Sequence, residues 1–181
     1  DNKKSKRILK DGRTFSYLLY KGSQSIKITQ NDIRAIQLAK AALYAGVKLL
    51  MKRLGVEKVD RIRLAGAFGS HIDVKYAMVL GLIPDCDIKN VSSAGNAAGT
   101  GARVTLLNRF SRNQIEDQVR KVEKIETAVA DDFQQQFVDA MSIPHSKDSF
   151  HNLAKEIDLP PIQKKQKIVR KRNRERSKNK E

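Results

Sequence analysis

The chain has 181 residues, enough for one domain with a substantial core, and its formal net charge of +16 is high for a soluble protein. Its single cysteine, Cys86, excludes an internal disulfide bond and any metal or iron–sulfur site built from cysteines of this chain alone. No apolar run approaches the roughly 20 residues that a membrane-spanning helix needs, so we predict a cytoplasmic protein without a membrane segment.

The positive charge is concentrated at the two ends of the chain. Residues 163–181 contain ten Lys or Arg and two Glu, and residues 1–10 contain five Lys or Arg and one Asp. We interpret residues 1–12 as a basic N-terminal segment, and residues 146–181 as a linker and basic tail too poor in apolar residues to be ordered. Two roles for the tail stay open, a solvated terminus or a nucleic-acid-binding module that neutralises phosphates.

The first predicted elements are a strand and a long helix. Aromatic and β-favouring residues at 13–20 predict a strand, which the alternating residues 25–29 extend. Thr29 is the predicted N-cap of the following helix, because Asp32 lies at its dipole-positive end. This helix ends near Gly55. Its apolar face is predicted from residues at helical spacing, namely Ile33, Ile36, Leu43, Val47, Leu50 and Leu54.

Strands and helices then alternate along the chain. We predict strands at 60–66, 87–95 and 123–129, and helices at 73–82, 96–108, 112–122 and 131–141. Ser111 and Gln114 form a weak capping box for the third of these helices. The alternating order predicts an α/β domain with parallel strand pairing.

Two glycine-rich stretches are candidates for a ligand site. The first, LAGAFGS at 64–70, lacks the Gly-Lys-Ser/Thr ending of a phosphate-binding loop and has no serine between its glycines, which excludes a nucleophile elbow. The second, AGNAAGTGA at 94–102, has almost no side chains over two helical turns, although glycine costs a helix about 0.8–1.0 kcal/mol relative to alanine. A strand-to-helix corner and tight helix–sheet packing are the alternatives to ligand binding.

Several motifs in the right order resemble one known family. ITQNDIRAIQLAKAALYAGVKLLMKRLG, IRLAGAFGSHID, GLIPD, GNAAGTGARVTLLN and DFQQQFVDAMSIPH are similar to the C-terminal part of the reductive activators of corrinoid proteins. The resemblance covers about residues 13–145. It implies part of an actin-like, ribonuclease-H-like ATPase domain of the acetate and sugar kinase, Hsp70 and actin superfamily, with a mixed sheet flanked by helices.

The resemblance also implies a function and a site. Full-length members use ATP with Mg²⁺, and a [2Fe–2S] cluster in their N-terminal part, to return cob(II)alamin to cob(I)alamin in a corrinoid partner protein. A homodimer is a possible assembly. The implied cofactor-binding residues lie against the nucleoside or in the second connecting helix, and they are Gly66, Ala67, Phe68, Gly69, Ser70, Gly95, Asn96 and Gly99.

The chain also departs from the family pattern. The two Asp-and-Gly hairpins that hold phosphate and Mg²⁺ in the superfamily, its catalytic carboxylate and the cysteine cluster are not found in this sequence. We therefore predict no catalytic residue and no metal ligand here, and we interpret the chain as the adenosine-side portion of a longer activator. The sheet's two central strands are missing too, so strand 13–20 is expected at a sheet edge and strands 60–65 and 88–93 are expected to pair.

Overall fold

A computed structural model of the chain describes residues 5–159. Its strands are β1 Ile8–Asp11, β2 Thr14–Lys21, β3 Ser25–Ile28, β4 Ile62–Ala65 and β5 Val91–Gly95. Its α-helices are α1 Gln30–Arg53, α2 Gly66–His71, α3 Val74–Leu80, α4 Ala97–Leu107, α5 Arg109–Val119 and α6 Phe133–Ala140. Short 3₁₀ turns lie at Ile88–Asn90, Thr127–Val129 and Leu153–Lys155. The predicted α/β class is confirmed.

The described strands form two separate sheets. β1, β2 and β3 pair antiparallel in that order, whereas β4 and β5 form a parallel pair. The predicted pairing of the strands near 60 and 90 is therefore confirmed. The predicted edge position of strand 13–20 is wrong, because β2 lies between β1 and β3. β1 was missed, because residues 8–11 were assigned to a basic N-terminal segment. Gly12, whose φ is +58°, makes the tight turn that joins this strand to β2.

Thr29 is the N-cap of α1, as the sequence predicts, and Asp32 makes the capping reciprocal. The Thr29 hydroxyl accepts the Asp32 N–H at 3.2 Å, and the Asp32 carboxylate accepts the Thr29 N–H at 2.8 Å. These bonds favour the ionised form and lower the pKa of the Asp32 carboxyl group. The helix boundary is thus set by two side chains that are three residues apart.

The predicted apolar face of α1 is not the face that packs into the core. Leu43, Leu50 and Leu54 are 49%, 53% and 74% exposed, respectively. The buried residues of the helix are Lys40, Ala41, Tyr44, Ala45, Leu49 and Met51. The prediction was wrong because α1 has apolar residues on two sides, and spacing alone does not tell which side is covered.

The core extends beyond the predicted domain boundary at residue 145. Phe150 and Leu153 are buried in the same cluster as Tyr44 and Met78. The Asp85 carboxylate accepts the N–H of Leu153 at 3.1 Å, which fixes the 3₁₀ turn of this segment. Residues 146–159 are therefore part of the domain and not a linker. The predicted disordered tail after residue 159 lies outside the described residues.

Two local predictions are also corrected. Residues 123–129, predicted as a strand, contain a 3₁₀ turn at Thr127–Val129 and no strand. Helix α5 begins at Arg109, because the Asn108 side chain accepts the Phe110 N–H at 3.0 Å. Ser111 lies inside this helix and does not cap it. The α5 start was misplaced because a local signal, the Asn108 cap, lies three residues before the predicted one.

A buried ammonium group joins α1 to the segment after α6. Lys40 is completely buried, and its Nζ donates to the Pro144 carbonyl oxygen at 2.7 Å and to the carbonyl oxygen of Ser142. Desolvation lowers the pKa of Lys40 to about 8, so the group is still mostly protonated at pH 7. Nearby, the Tyr44 hydroxyl donates to Asp148 at 2.8 Å.

Removing the Lys40 ammonium group should destabilise the protein. Lys40→Met keeps most of the apolar stem but leaves two buried carbonyl groups without their charged donor, so we expect a loss of about 2–3 kcal/mol in the free energy of unfolding. Lys52→Met is the matched control, because Lys52 makes a solvent-exposed ion pair with Asp132. Urea unfolding measures both variants, and equal stability of Lys40→Met and the wild type would contradict this account.

The buried His145 imidazole predicts acid sensitivity. Its Nδ1 accepts the N–H groups of Lys147 at 3.2 Å and Asp148 at 2.8 Å, so Nδ1 is unprotonated and the Asp148 carboxylate 3.9 Å away is not its ion-pair partner. Burial lowers the pKa of His145 below its ordinary 6.5; the Asp148 carboxylate raises this pKa to a smaller extent, and the Lys40 ammonium lowers it further. The folded state then binds fewer protons than the unfolded state, so stability falls as the pH drops below 6.5.

His145→Asn tests this pH dependence, because the asparagine oxygen can accept the same N–H groups without titrating. We expect the wild type to lose more unfolding free energy than this variant between pH 7.5 and pH 5.5, conditions that bracket the ordinary histidine pKa. His71→Asn at an exposed helix end is the control and should behave like the wild type. The same pH dependence in His145→Asn and the wild type would assign the acid sensitivity to other groups.

Candidate functional site

The two glycine-rich stretches lie side by side at one end of the parallel strand pair. Ala65, the last residue of β4, is opposite Gly95, the last residue of β5. Helix α2 begins directly after β4, and α4 begins two residues after β5. The carboxyl ends of parallel strands are the usual place for ligands in α/β folds. The fold thus places LAGAFGS and AGNAAGTGA, which were predicted separately, next to each other.

The first stretch contains two glycines with different roles. Gly66 has a φ of +90°, and a Cβ added there would meet nothing within 4 Å, so its backbone borders open space. Gly69 is buried, and a Cβ there would lie 2.8 Å from the Leu64 carbonyl carbon. Packing of α2 on β4 alone accounts for Gly69. Its contact with a ligand stays a prediction.

The other residues of the first stretch face solvent. Phe68 is 70% exposed, although it belongs to a short helix that packs on the strand pair. Ala67 and Ser70 are exposed as well, and the Ser70 hydroxyl donates to the Gly66 carbonyl oxygen at 3.0 Å. An exposed aromatic ring beside an open glycine backbone can contact a flat ligand.

The second stretch forms the amino end of α4. Gly95 has a φ of +60°, and a Cβ added there would also meet nothing within 4 Å. The Asn96 Oδ1 accepts the Gly99 N–H at 2.9 Å and so caps the helix. A Cβ on Gly99 would lie 2.8 Å from the Asn96 Nδ2, so glycine at 99 leaves room for the capping side chain.

The chemistry of this site is neutral. Neither LAGAFGS nor AGNAAGTGA contains an ionisable side chain, so the two stretches supply no charge for a phosphate group. Among residues 5–159, no group of three or more His, Cys, Asp or Glu side chains is placed to hold a metal ion. The open backbone at Gly66 and Gly95 fits an uncharged, flat group such as a nucleoside, but nothing in the described residues fits Mg²⁺ or an iron–sulfur cluster.

A larger cleft lies at the opposite, amino ends of β4 and β5. Its volume is about 610 Å³, and its walls are formed by residues 57–60, 84–87 and 147–149 with parts of α1. Sequence reasoning did not identify it, because its residues come from three loops without a motif. Cys86 lies in its wall, where burial raises the pKa of the thiol, which makes it a poor nucleophile. The site at the carboxyl ends of the strands is distinguished instead by its open glycine backbone.

Residues 1–154 match a family model described as the C-terminal domain of RACo, the ASKHA domain. The chain therefore belongs to this family. The resemblance noted from the sequence is confirmed.

Two relatives are similar to this chain over part of their length. The corrinoid activation enzyme RamQ from Eubacterium limosum is 49% identical over 88 residues, which cover 48% of this chain and 15% of RamQ. A solved structure described as a reductive activator for corrinoid, iron–sulfur protein has a TM-score of 0.66 and 34% identity, covering 78% of this chain and 24% of its own. The chain thus matches less than a quarter of each relative.

The descriptions of the two relatives bear on the predicted partners of this chain. Both are described as acting in corrinoid activation, whereas neither description mentions nucleic acid or a homodimer. The basic tail that motivated the nucleic-acid alternative lies outside the described residues. No helix within residues 5–159 has the length and apolar character needed to cross a bilayer.

Proposed function

We propose that this chain is the adenosine-side portion of an ATP-dependent reductive activator that returns cob(II)alamin to cob(I)alamin in a corrinoid partner protein. One observation carries the proposal: two open glycine turns, at Gly66 and Gly95, lie next to each other at the carboxyl ends of β4 and β5. The similarity to a corrinoid activation enzyme and to a reductive activator supports the choice of reaction.

Four groups of this chain would contact the nucleoside. The backbone at Gly66 and at Gly95 has no side chain in the way, so the adenine or ribose can lie against it. Phe68, two residues after Gly66 in α2, offers an exposed apolar ring. Asn96 uses its Oδ1 for the helix cap, which leaves its Nδ2 as a hydrogen-bond donor.

The phosphates and the electron transfer belong to the rest of the activator. Because both turns are uncharged, the groups that neutralise the phosphates must come from outside these two stretches. The reduction adds one electron to cob(II)alamin. In the proposed activator an iron–sulfur centre in another part of the protein would supply this electron, and ATP would supply the free energy. This chain's part is to bind and orient the nucleoside.

Gly66→Ala should weaken binding of adenosine to the chain. A methyl group there would project into the space proposed for the nucleoside, and the φ of +90° adds backbone strain. Gly55→Ala is the matched control, since Gly55 has a φ of +65° and open space but lies after α1, away from the site. Saturation-transfer NMR with adenosine detects even millimolar binding.

We expect both glycine variants to lose a similar amount of stability, about 1–2 kcal/mol, because both place a Cβ in a left-handed conformation. Only Gly66→Ala should lose the adenosine signal, by about tenfold in affinity, which corresponds to 1.4 kcal/mol. Equal adenosine binding by the two variants, or no binding by the wild type, would contradict the assignment of the nucleoside site.

The purified chain should not hydrolyse ATP. Without carboxylates placed for Mg²⁺ among the described residues, the charge that develops during phosphoryl transfer is not stabilised. Phosphate release with and without Mg²⁺ measures this, with RamQ from Eubacterium limosum assayed in parallel. Mg²⁺-dependent hydrolysis by the chain alone would show that it contains a complete phosphate site.

A further inference from the structure

The β1–β3 sheet concentrates positive charge on strands of the fold. Residues 5–28 contain six Lys or Arg and a single acidic residue, Asp11. None of these six cations makes an ion pair with another residue of 5–159, whereas five Lys or Arg side chains in the rest of the domain are paired with a carboxylate. Unpaired cations on one small sheet attract an anionic partner.

One side of this sheet is aromatic. Residues that pair across neighbouring strands project their side chains to the same side of a sheet, as do alternate residues of one strand. Tyr17 pairs with Ile8 of β1 and with Ile28 of β3, and Tyr20 pairs with Ile26. The same register completes a surface that we call the aromatic sheet face, which consists of Ile8, Lys10, Phe15, Tyr17, Tyr20, Ile26 and Ile28.

The rings of the aromatic sheet face are accessible, and one of them is held in place. Phe15 is 53% exposed, Tyr17 is 38% exposed and Tyr20 is 59% exposed. A Cβ added to Gly22 would lie 2.5 Å from the Tyr20 ring, so this ring lies over the glycine backbone of the β2–β3 turn. Glycine at 22 thus lets the ring rest on the main chain while much of the side chain stays open to a ligand.

The amino end of α1 turns part of the aromatic sheet face into a groove. A cavity of about 280 Å³ lies between the sheet and the first two turns of the helix, and Ile8, Phe15, Tyr17 and Ile28 contribute to its floor. Sites for drug-sized ligands begin at about 300 Å³, so this cavity admits one flat group of modest size. Arg34 is the only charged residue among the described residues that line it.

We infer that the aromatic sheet face binds single-stranded nucleic acid, with one base in the cavity beside Tyr17 and its phosphate near Arg34. Unpaired cations neutralise phosphates, and exposed rings stack on bases that are not already paired. Alternate residues of β2 are about 6.6 Å apart, roughly twice the 3.4 Å between stacked bases, so successive rings suit the bases of a stretched strand. An acidic protein segment is the competing ligand. The inference does not depend on the proposed function.

Fluorescence anisotropy of the 181-residue chain tests the inference. The probe is a labelled oligonucleotide of about ten thymidines, within the roughly 4–16 nucleotides of known single-strand sites, used alone and as a duplex with its complement. Tyr20→Ala should weaken single-strand binding about tenfold and leave duplex binding unchanged, because a duplex does not offer its bases for stacking. Tyr76→Ala is the matched control, since Tyr76 is also 59% exposed but lies on α3, outside the sheet.

The salt dependence separates this site from the basic tail. Residues 163–181 contain ten Lys or Arg but no aromatic residue, so the tail contributes charge without stacking. Tyr20→Ala should therefore keep the wild-type slope of log affinity against log salt, whereas Lys10→Gln should reduce this slope by about one. Equal single-strand affinity of Tyr20→Ala and the wild type would overturn the inference, as would tighter binding of the duplex than of the single strand by the wild type.

Cross-linking of the wild-type chain covers the case in which Tyr20→Ala does not fold. An oligonucleotide that carries 5-iodouracil should form adducts with Tyr17 or Tyr20 on irradiation, and mass spectrometry locates them. Adducts confined to residues 163–181, or none, would overturn the inference. Polyglutamate that displaces the thymidine probe as readily as the unlabelled oligonucleotide does would also overturn it, in favour of an acidic protein segment.

Discussion

The buried Lys40 ammonium is the contact on which the rest of the domain depends. It joins the middle of α1 to main-chain oxygens of Ser142 and Pro144, which are more than 100 residues away in the sequence. The Pro144 carbonyl group also leaves no room for a Cβ at Gly81, so the end of α3 meets the same segment. Three distant parts of the chain are thus held at one point, and Tyr44 and Met78 pack beside it.

The two ends of the parallel strand pair differ in charge and in backbone exposure. At the amino ends of β4 and β5, loops with many charged residues line a cleft, and the Asp85 carboxylate binds main-chain N–H groups of residues 152 and 153. At the carboxyl ends, glycine turns leave the backbone open and the surface uncharged. One end is therefore held by polar contacts within the domain, while the other is available to a ligand.

The sequence predicted elements with local signals and missed those that depend on distant partners. The Thr29–Asp32 capping pair located α1, and the β4–β5 pair followed from alternating strands and helices. β1 was missed because the five Lys or Arg of residues 1–10 resemble a basic tail, although an antiparallel neighbour makes residues 8–11 a strand. Residues 146–159 were predicted to be a linker because they contain few apolar residues. Two large ones, Phe150 and Leu153, are nevertheless buried in the core.

The sequence identified the two glycine-rich stretches of the candidate site, but it did not show that they lie side by side in the fold. Their proximity depends on the register in which Ala65 faces Gly95, which no local pattern contains. Spacing likewise revealed an apolar face on α1, but Lys40, four residues after Ile36 and three before Leu43, lies along that face and is completely buried, whereas Leu43 is half exposed. The oxygens that bind the Lys40 ammonium come from Ser142 and Pro144, which no pattern within the helix contains. Distant partners therefore decide which residues of α1 are buried, just as the distant register of β4 and β5 brings the two uncharged turns together.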